Sequence, residues 1–208
     1  MIRMEGVKTV LALGAHPDDL ELGCGATLAK LAARGVRVHA VIYSDGKLGA
    51  EPGFDRIRES RLALESLGVA TITQHEYPDT RLHEALNELI GCTEDHVRQL
   101  KPDRVYTMFH LDRHQDHRTV HEASVVACRT VQQILGYETP SSYPNFTPTV
   151  FEQVDDFIEA KVGALKMHGS QGTRLYMQEE KIRSAAHFRG VQVDLGQTEG
   201  FIPYKLVF

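Results

Sequence analysis

Short apolar segments alternate with helical patterns along most of this chain, and the alternation restricts the folds that it can adopt. Three apolar segments rich in β-branched or aromatic residues span residues 7–15, 36–43 and 104–109. The spacing of apolar residues predicts helices at residues 22–34, 55–67, 82–100 and 116–135. Because parallel strands are joined by right-handed crossover helices, we predict a Rossmann-like, doubly wound, mainly parallel α/β sheet flanked by helices.

The rest of the chain is less regular. A weaker strand is predicted at residues 71–77, and residues 136–148, rich in Pro, Ser and Tyr, form a long irregular stretch. Two further helices, at residues 151–167 and 176–189, precede a short final strand. With 208 residues and a hydrophobic fraction of 42%, residues 1–208 are expected to form a single domain.

The composition excludes several classes of function. A net charge of -5 provides no basic field for nucleic acid or an anionic membrane, so neither is expected as a partner. No apolar run approaches the roughly 20 residues that cross a bilayer, and the absence of a secretory signal pattern predicts a cytoplasmic protein. The three cysteines are far apart and form no CxxC pair, so we predict neither a disulfide framework nor a thiolate zinc site. Cys24 is interpreted as a buried small residue.

Two polar runs follow predicted strands. The run HPDD at residues 16–19 comes directly after the strand at 7–15, and the run HQDH at residues 114–117 follows the strand at 104–109. Open α/β sheets bind their ligands at the carboxyl edge of the parallel strands. Although about a hundred residues separate them, the two runs are therefore predicted to meet at one site.

The two runs together offer the ligands of a mononuclear metal centre. Zinc hydrolases commonly use three His or carboxylate ligands and leave one position open for water. Pro17 favours an extended conformation at His16, which allows His16 and Asp19 to face one point. His117 is the natural third ligand.

The remaining polar residues of the runs fill the other roles in attack of water on an amide. Asp18 adjoins a ligand but points differently, which suits a general base. His114, as an imidazolium, would stabilise a tetrahedral oxyanion and protonate the leaving group. Asp116 would hold the other nitrogen of His114 and favour its charged form.

Structural alternatives exist for each run alone. The HPDD run at residues 16–19 is compatible with a polar turn whose carboxylates cap the next helix. An early helix start would place His114, His117 and His121 on one helical face and make a different, all-helical site. The position of both runs after apolar strands favours the shared site.

The chain resembles a known enzyme family. Residues 15–23, AHPDDLELG, with GAT at 25–27, resemble the opening signature of the LmbE/PIG-L family of zinc-dependent N-deacetylases. Similarity continues through residues 112–118, DRHQDHR, and reaches Glu199 and Phe201. Leu20 departs from the Glu of many members but leaves the ligands intact.

The resemblance implies a role for each residue of the site. His16, Asp19 and His117 would bind one Zn²⁺ per subunit, with other divalent metals acceptable. The resemblance also assigns the general base to Asp18, the oxyanion contact to His114 and its orientation to Asp116. It further implies that Arg56 binds substrate or acetate.

Three functions follow as hypotheses. The first is a zinc-dependent hydrolase that removes the acetyl group from an N-acetylglucosamine-type conjugate, with a small amino-sugar substrate as its partner. The alternative is a metal-dependent hydratase of a small unsaturated acid, in which arginines such as Arg56 hold carboxylates. The third is a non-catalytic sugar or nucleotide binder, which would be expected to lack a base or a ligand. A homo-oligomer is also expected, and residues 136–148 are expected to shape substrate choice.

Overall fold

The protein is built on one seven-stranded sheet with helices on both faces. The structure, a computed structural model, describes residues 6–207. In chain order the elements are β1 (Thr9–Gly14), α1 (Asp19–Ala33), β2 (Arg37–Ser44), α2 (Arg56–Ser66), β3 (Thr71–Tyr77), α3 (Leu86–Leu100), β4 (Arg104–Met108), α4 (Gln115–Ala127), β5 (Gln133–Tyr137), β6 (Val150–Gln153), α5 (Ile158–Lys166), α6 (Glu179–Val191) and β7 (Thr198–Leu206).

The strand order is β3-β2-β1-β4-β5-β7-β6. The strands from β1 to β5 pair in parallel, whereas β7 pairs antiparallel with both β5 and β6. The predicted mainly parallel α/β fold is therefore confirmed. The chain moves outward in opposite directions from β1 and β4, and this reversal opens a crevice at their carboxyl ends.

Helix α1 packs closely on the sheet because of a glycine. A Cβ atom on Gly23 would lie 2.0 Å from the ring of Tyr137, so no larger residue fits at this point without movement. The Tyr137 hydroxyl is buried and donates a hydrogen bond to the carbonyl oxygen of Leu13 over 2.7 Å. This contact fixes the end of β1, from which the first polar run emerges.

A buried ion pair ties α1 to the C-terminal part of the fold. The Lys161 ammonium donates to the Glu199 carboxylate over 2.6 Å and to the carbonyl oxygen of Leu22 over 2.7 Å. The same carboxylate accepts from the backbone N–H groups of Ala26 and Thr27. Both charges are thus paired and hydrogen-bonded, as burial requires.

Several predicted boundaries are wrong. The helix predicted at residues 116–135 ends at Ala127, and its last part forms β5. The helix predicted at residues 151–167 begins only at Ile158, because residues 150–153 form β6. The final strand is longer than expected, with 9 residues. None of the helices in residues 6–207 has the combined length and hydrophobicity that a membrane span requires.

Candidate active site

The two polar runs meet at the crevice between β1 and β4. These strands are neighbours in the sheet, with Val10 opposite Arg104 and Ala12 opposite Tyr106. The first run leads from β1 to the first residue of α1, and the second forms the start of α4 beyond β4. The predicted convergence of residues 16–19 and 114–117 at one edge is what the structure shows.

Three side chains bring their donor atoms together, with a different oxygen of Asp19 facing each histidine. His117 Nε2 lies 3.2 Å from Asp19 Oδ1 and 3.3 Å from His16 Nδ1, and His16 Nδ1 lies 3.4 Å from Asp19 Oδ2. A tetrahedral ion with metal–ligand bonds of about 2.0–2.2 Å separates its ligands by roughly 3.3–3.5 Å. The spacing and the chemistry of this donor set therefore fit a divalent metal such as zinc.

Each histidine of this set is held through its other ring nitrogen. His16 Nε2 lies 3.1 Å from Asp116 Oδ2 and 3.3 Å from Asp79 Oδ1. His117 Nδ1 lies 3.2 Å from Asp112 Oδ2. Carboxylates at this position fix the tautomer and the ring orientation of metal-binding histidines. Sequence reasoning assigned no role to Asp79 or Asp112, although Asp112 precedes the second run by only two residues.

The carboxylates also govern the charge of the two imidazoles. Burial lowers the pKa of His117, but the carboxylates of Asp19 and Asp112 outweigh it and raise the pKa to about 9. Burial likewise opposes the charged form of His16, and the carboxylates around it, Asp116 first, still raise its pKa well above the usual value. The site therefore attracts positive charge, either as protons or as a metal cation.

Asp18 lies beside this set in a strained conformation. Its φ of 115° lies in a region that non-glycine residues rarely occupy, and such strain is typical of functional sites. Burial raises the pKa of the Asp18 carboxyl to about 6, against the lowering effect of the Arg56 guanidinium. Asp18 Oδ2 accepts a hydrogen bond from Arg56 Nη2 over 3.0 Å.

Arg56 contacts the protein itself through both terminal nitrogens. Nη2 donates to the carbonyl oxygen of Pro17 as well as to Asp18, and Nη1 donates to the carbonyl oxygen of Gly46 over 2.8 Å. The side chain lines the cleft but is only 8% exposed. Arg56 is therefore held beside Asp18. The contact with substrate or acetate that the resemblance implies stays a prediction.

His114 differs from its predicted arrangement. Its Nδ1 accepts a hydrogen bond from the backbone N–H of Asp116 over 3.2 Å, so the ring carries its proton on Nε2. The Asp116 carboxylate, expected on His114, instead contacts His16 and the backbone N–H groups of Thr80 and Leu82. Burial, followed by the nearby His16 and His117, lowers the pKa of His114. The arrangement favours a neutral N–H donor.

The all-helical alternative does not match the contacts. His121 lies in a separate aromatic group with His110 and Tyr204, at ring-centroid distances of 5.7 and 4.6 Å. His114 instead stacks against His117, with ring centroids 4.8 Å apart, and the ligand atoms of His16, His114 and His117 lie within 4.8 Å of one another.

The site opens into a cleft of about 460 Å³. Its floor carries the candidate ligands together with Asp18 and His114, and its walls include Leu48, Arg174 and Tyr176. A small polar molecule entering the cleft therefore reaches the candidate metal site, the carboxylate and the imidazole donor together.

Comparisons with known proteins agree with the geometry. The PIG-L family model, described as GlcNAc-PI de-N-acetylase, matches residues 11–128, more than half of the chain. The chain is 49% identical over 169 residues to the uncharacterized deacetylase YaiS of Escherichia coli K12, covering 78% of this chain and 91% of that protein.

Solved structures share the fold. The N,N'-diacetylchitobiose deacetylase of Pyrococcus horikoshii is 25% identical with a TM-score of 0.80, covering 96% of this chain and 84% of that one. The 4-carboxy-2-hydroxymuconate hydratase of Pseudomonas putida KT2440 is 19% identical with a TM-score of 0.84, covering 97% and 98%, and shows likeness of fold alone. On the extent of the family match and the identity to YaiS, the chain belongs to the PIG-L family of deacetylases.

Proposed function

We propose that this protein is a zinc-dependent hydrolase that removes the acetyl group from an N-acetylglucosamine-type conjugate. The observation that carries the proposal is the 3.2–3.4 Å separation between the donor atoms of His16, Asp19 and His117, beside a buried carboxylate, Asp18, in an open cleft. Family membership supports acetamide hydrolysis as the reaction.

Asp18 and His114 have separate roles in amide hydrolysis beside the metal. When bound, zinc acts as a Lewis acid that acidifies water and polarises the amide carbonyl. Asp18 accepts a proton as water attacks the carbonyl carbon, and it returns this proton to the sugar nitrogen as the C–N bond breaks. The Nε2–H group of His114 donates a hydrogen bond to the carbonyl oxygen as negative charge develops there. The products are acetate and the free amine.

Arg56 and Asp116 hold Asp18 and His16, respectively, in position. Arg56 holds the carboxylate of Asp18 and the neighbouring backbone, which keeps the base oriented toward the cleft. Asp116 holds the ring of His16 and thereby the direction of its Nδ1. We assign both as positioning residues of this reaction.

A substrate panel tests the proposed function. Metal-free protein, with and without added zinc, is incubated with N-acetylglucosamine, N,N'-diacetylchitobiose and N-acetylglucosaminyl conjugates, and both free amine and acetate are measured. We expect zinc to restore equal amounts of amine and acetate from at least one of these compounds. Absence of both products from every N-acetylated sugar would overturn the proposal.

The same preparation distinguishes the hydratase alternative. Hydration of a small unsaturated dicarboxylic acid removes the ultraviolet absorbance of its double bond and releases no acetate. We expect no such loss of absorbance. Metal-dependent hydration without deacetylation would assign this protein the hydratase reaction instead.

Gel filtration with light scattering tests the separate expectation of a homo-oligomer.

Replacement of His114 with alanine is expected to lower kcat by about 10²–10³-fold, because an oxyanion donor is lost. The Michaelis constant should change little, since the contact strengthens mainly in the transition state. Steady-state kinetics on protein of verified zinc content provide the measurement. His114→Gln keeps an N–H donor and should recover part of the rate. A pure rise in the Michaelis constant would make His114 a binding residue.

A further inference from the structure

A second group of metal-binding side chains lies between β3 and α3. His75 is on β3, and Cys92 and His96 are on α3, one helical turn apart. Their ligand atoms all lie within 4.8 Å of one another, with Cys92 Sγ 3.2 Å from His75 Nε2. None of these residues belongs to the candidate catalytic site.

The fold directs these three side chains toward each other. Residues four apart lie on the same face of a helix, so Cys92 and His96 face the sheet side by side. The His75 ring stacks on Tyr43 with ring centroids 6.0 Å apart, and it meets His96 edge-on at 6.1 Å. Tyr43 is itself fixed to α3, since its hydroxyl lies 2.5 Å from that of Thr93. The donor atoms are therefore held by packing.

The donor atoms are accessible to a cation. Burial lowers the pKa values of His75 and His96, which disfavours their charged forms. Within residues 6–207, the side chain of His96 makes no hydrogen bond, so its ring nitrogens remain free to ligate a cation. All three side chains are half-buried, which leaves a path from solvent. Burial raises the pKa of the Cys92 thiol, so a cation must displace its proton to solvent.

We propose that His75, Cys92 and His96 form a second metal site, which takes Zn²⁺ or a similar late first-row divalent cation. Two imidazoles and one thiolate are the donors that these cations prefer over oxygen ligands. Binding forms an M–S bond, breaks the S–H bond and releases one proton. A metal bound at this site would link the edge strand β3 to α3, and one of its coordination positions would stay open for water.

This proposal revises the expectation from sequence that no thiolate metal site exists. That expectation rested on the absence of a CxxC pair. Here the ligands come from strand β3 and helix α3, which residues 78–85 separate. The spacing of 17 residues between His75 and Cys92 therefore forms no recognisable motif. The catalytic set contains only nitrogen and oxygen donors, so the two sites differ in their chemistry.

Cobalt(II) provides the test, because thiolate ligation gives an intense near-ultraviolet charge-transfer band that nitrogen and oxygen ligands do not. Metal-free, reduced protein is titrated with Co²⁺ while absorbance and bound cobalt are measured. We expect the thiolate band and about two bound equivalents per chain. Cys92→Ser should lose the band and about one equivalent, while deacetylase activity is unchanged.

Two further variants complete the design. Cys128→Ala removes a buried cysteine outside the cluster and should keep the band. His96→Gln leaves the thiol in place and should weaken cobalt binding at this site. A wild-type protein without the band, or a band that survives Cys92→Ser, would overturn the proposal. Neither outcome depends on the catalytic reaction, so the proposed function is tested separately.

Discussion

Replacement of His117 with alanine is expected to remove the catalytic metal and reduce acetate release by more than about 10³-fold. Its Nε2 lies 3.2 Å from Asp19 and 3.3 Å from His16, so the variant lacks one of three converging ligand atoms. Loss of a group that merely holds a ligand costs about 10–100-fold in metal affinity or activity. Loss of the ligand itself should cost more. Zinc content and acetate release are measured on the same folded sample.

His121→Ala is the matched control for this experiment. His121 lies on α4 one turn after His117, but it contacts His110 and Tyr204 instead of the candidate site. We expect it to keep both the catalytic metal and the activity. Equal losses of metal and activity in the two variants would support the all-helical site instead. Full activity in His117→Ala with the metal absent would contradict the site assignment.

Replacement of Asp18 with asparagine is expected to leave the metal bound and slow turnover by about 10²–10⁴-fold. The amide keeps the size of the side chain and can still accept the hydrogen bond from Arg56, but it cannot take a proton from water. The measurement is kcat for acetate release together with zinc content by elemental analysis.

Asp19→Asn is the comparison for Asp18→Asn. The two residues are adjacent, yet only Asp19 points its oxygens at both His16 and His117. We expect Asp19→Asn to weaken zinc binding and Asp18→Asn to preserve it. Loss of zinc in Asp18→Asn, or full turnover with zinc retained, would mean that the roles of these two carboxylates are misassigned.

The meeting of the two polar runs was predictable from sequence because it depends on a general property of parallel sheets. Each run follows an apolar strand, and the carboxyl ends of parallel strands lie at one edge. The adjacency of β1 and β4 then brings residues 16–19 and 114–117 together. No detail of side-chain packing is needed for this step.

Strands β5 and β6 were not predictable in the same way. Residues 116–135 contain neither glycine nor proline, so nothing local marks the end of α4 at Ala127. Gln133–Tyr137 is a strand because it pairs with β4 on one side and β7 on the other. Such pairing is a tertiary effect that outweighs a local helical pattern.

The contacts of Asp116 and Arg56 also depend on tertiary geometry. Proximity in sequence suggested that Asp116 holds His114, but its side chain leaves the start of α4 toward His16 and the backbone of residues 80–82. Arg56 matches an arginine expected to bind substrate or acetate, and the sequence alone does not show that Asp18 and Pro17 also contact its guanidinium. Sequence identifies these residues without showing their partners.

Anomalous diffraction at the zinc edge, from crystals of the zinc-loaded protein, locates the catalytic metal. We expect a peak about 2.0–2.2 Å from His16 Nδ1, Asp19 and His117 Nε2, with Asp18 outside the coordination shell. Two other sets of ligand atoms lie nearby, since those of His16, His114 and His117 and those of His16, Asp79 and Asp116 each lie within 4.8 Å of one another. A peak held by either of these sets, with Asp19 unbound, would contradict the proposed ligands.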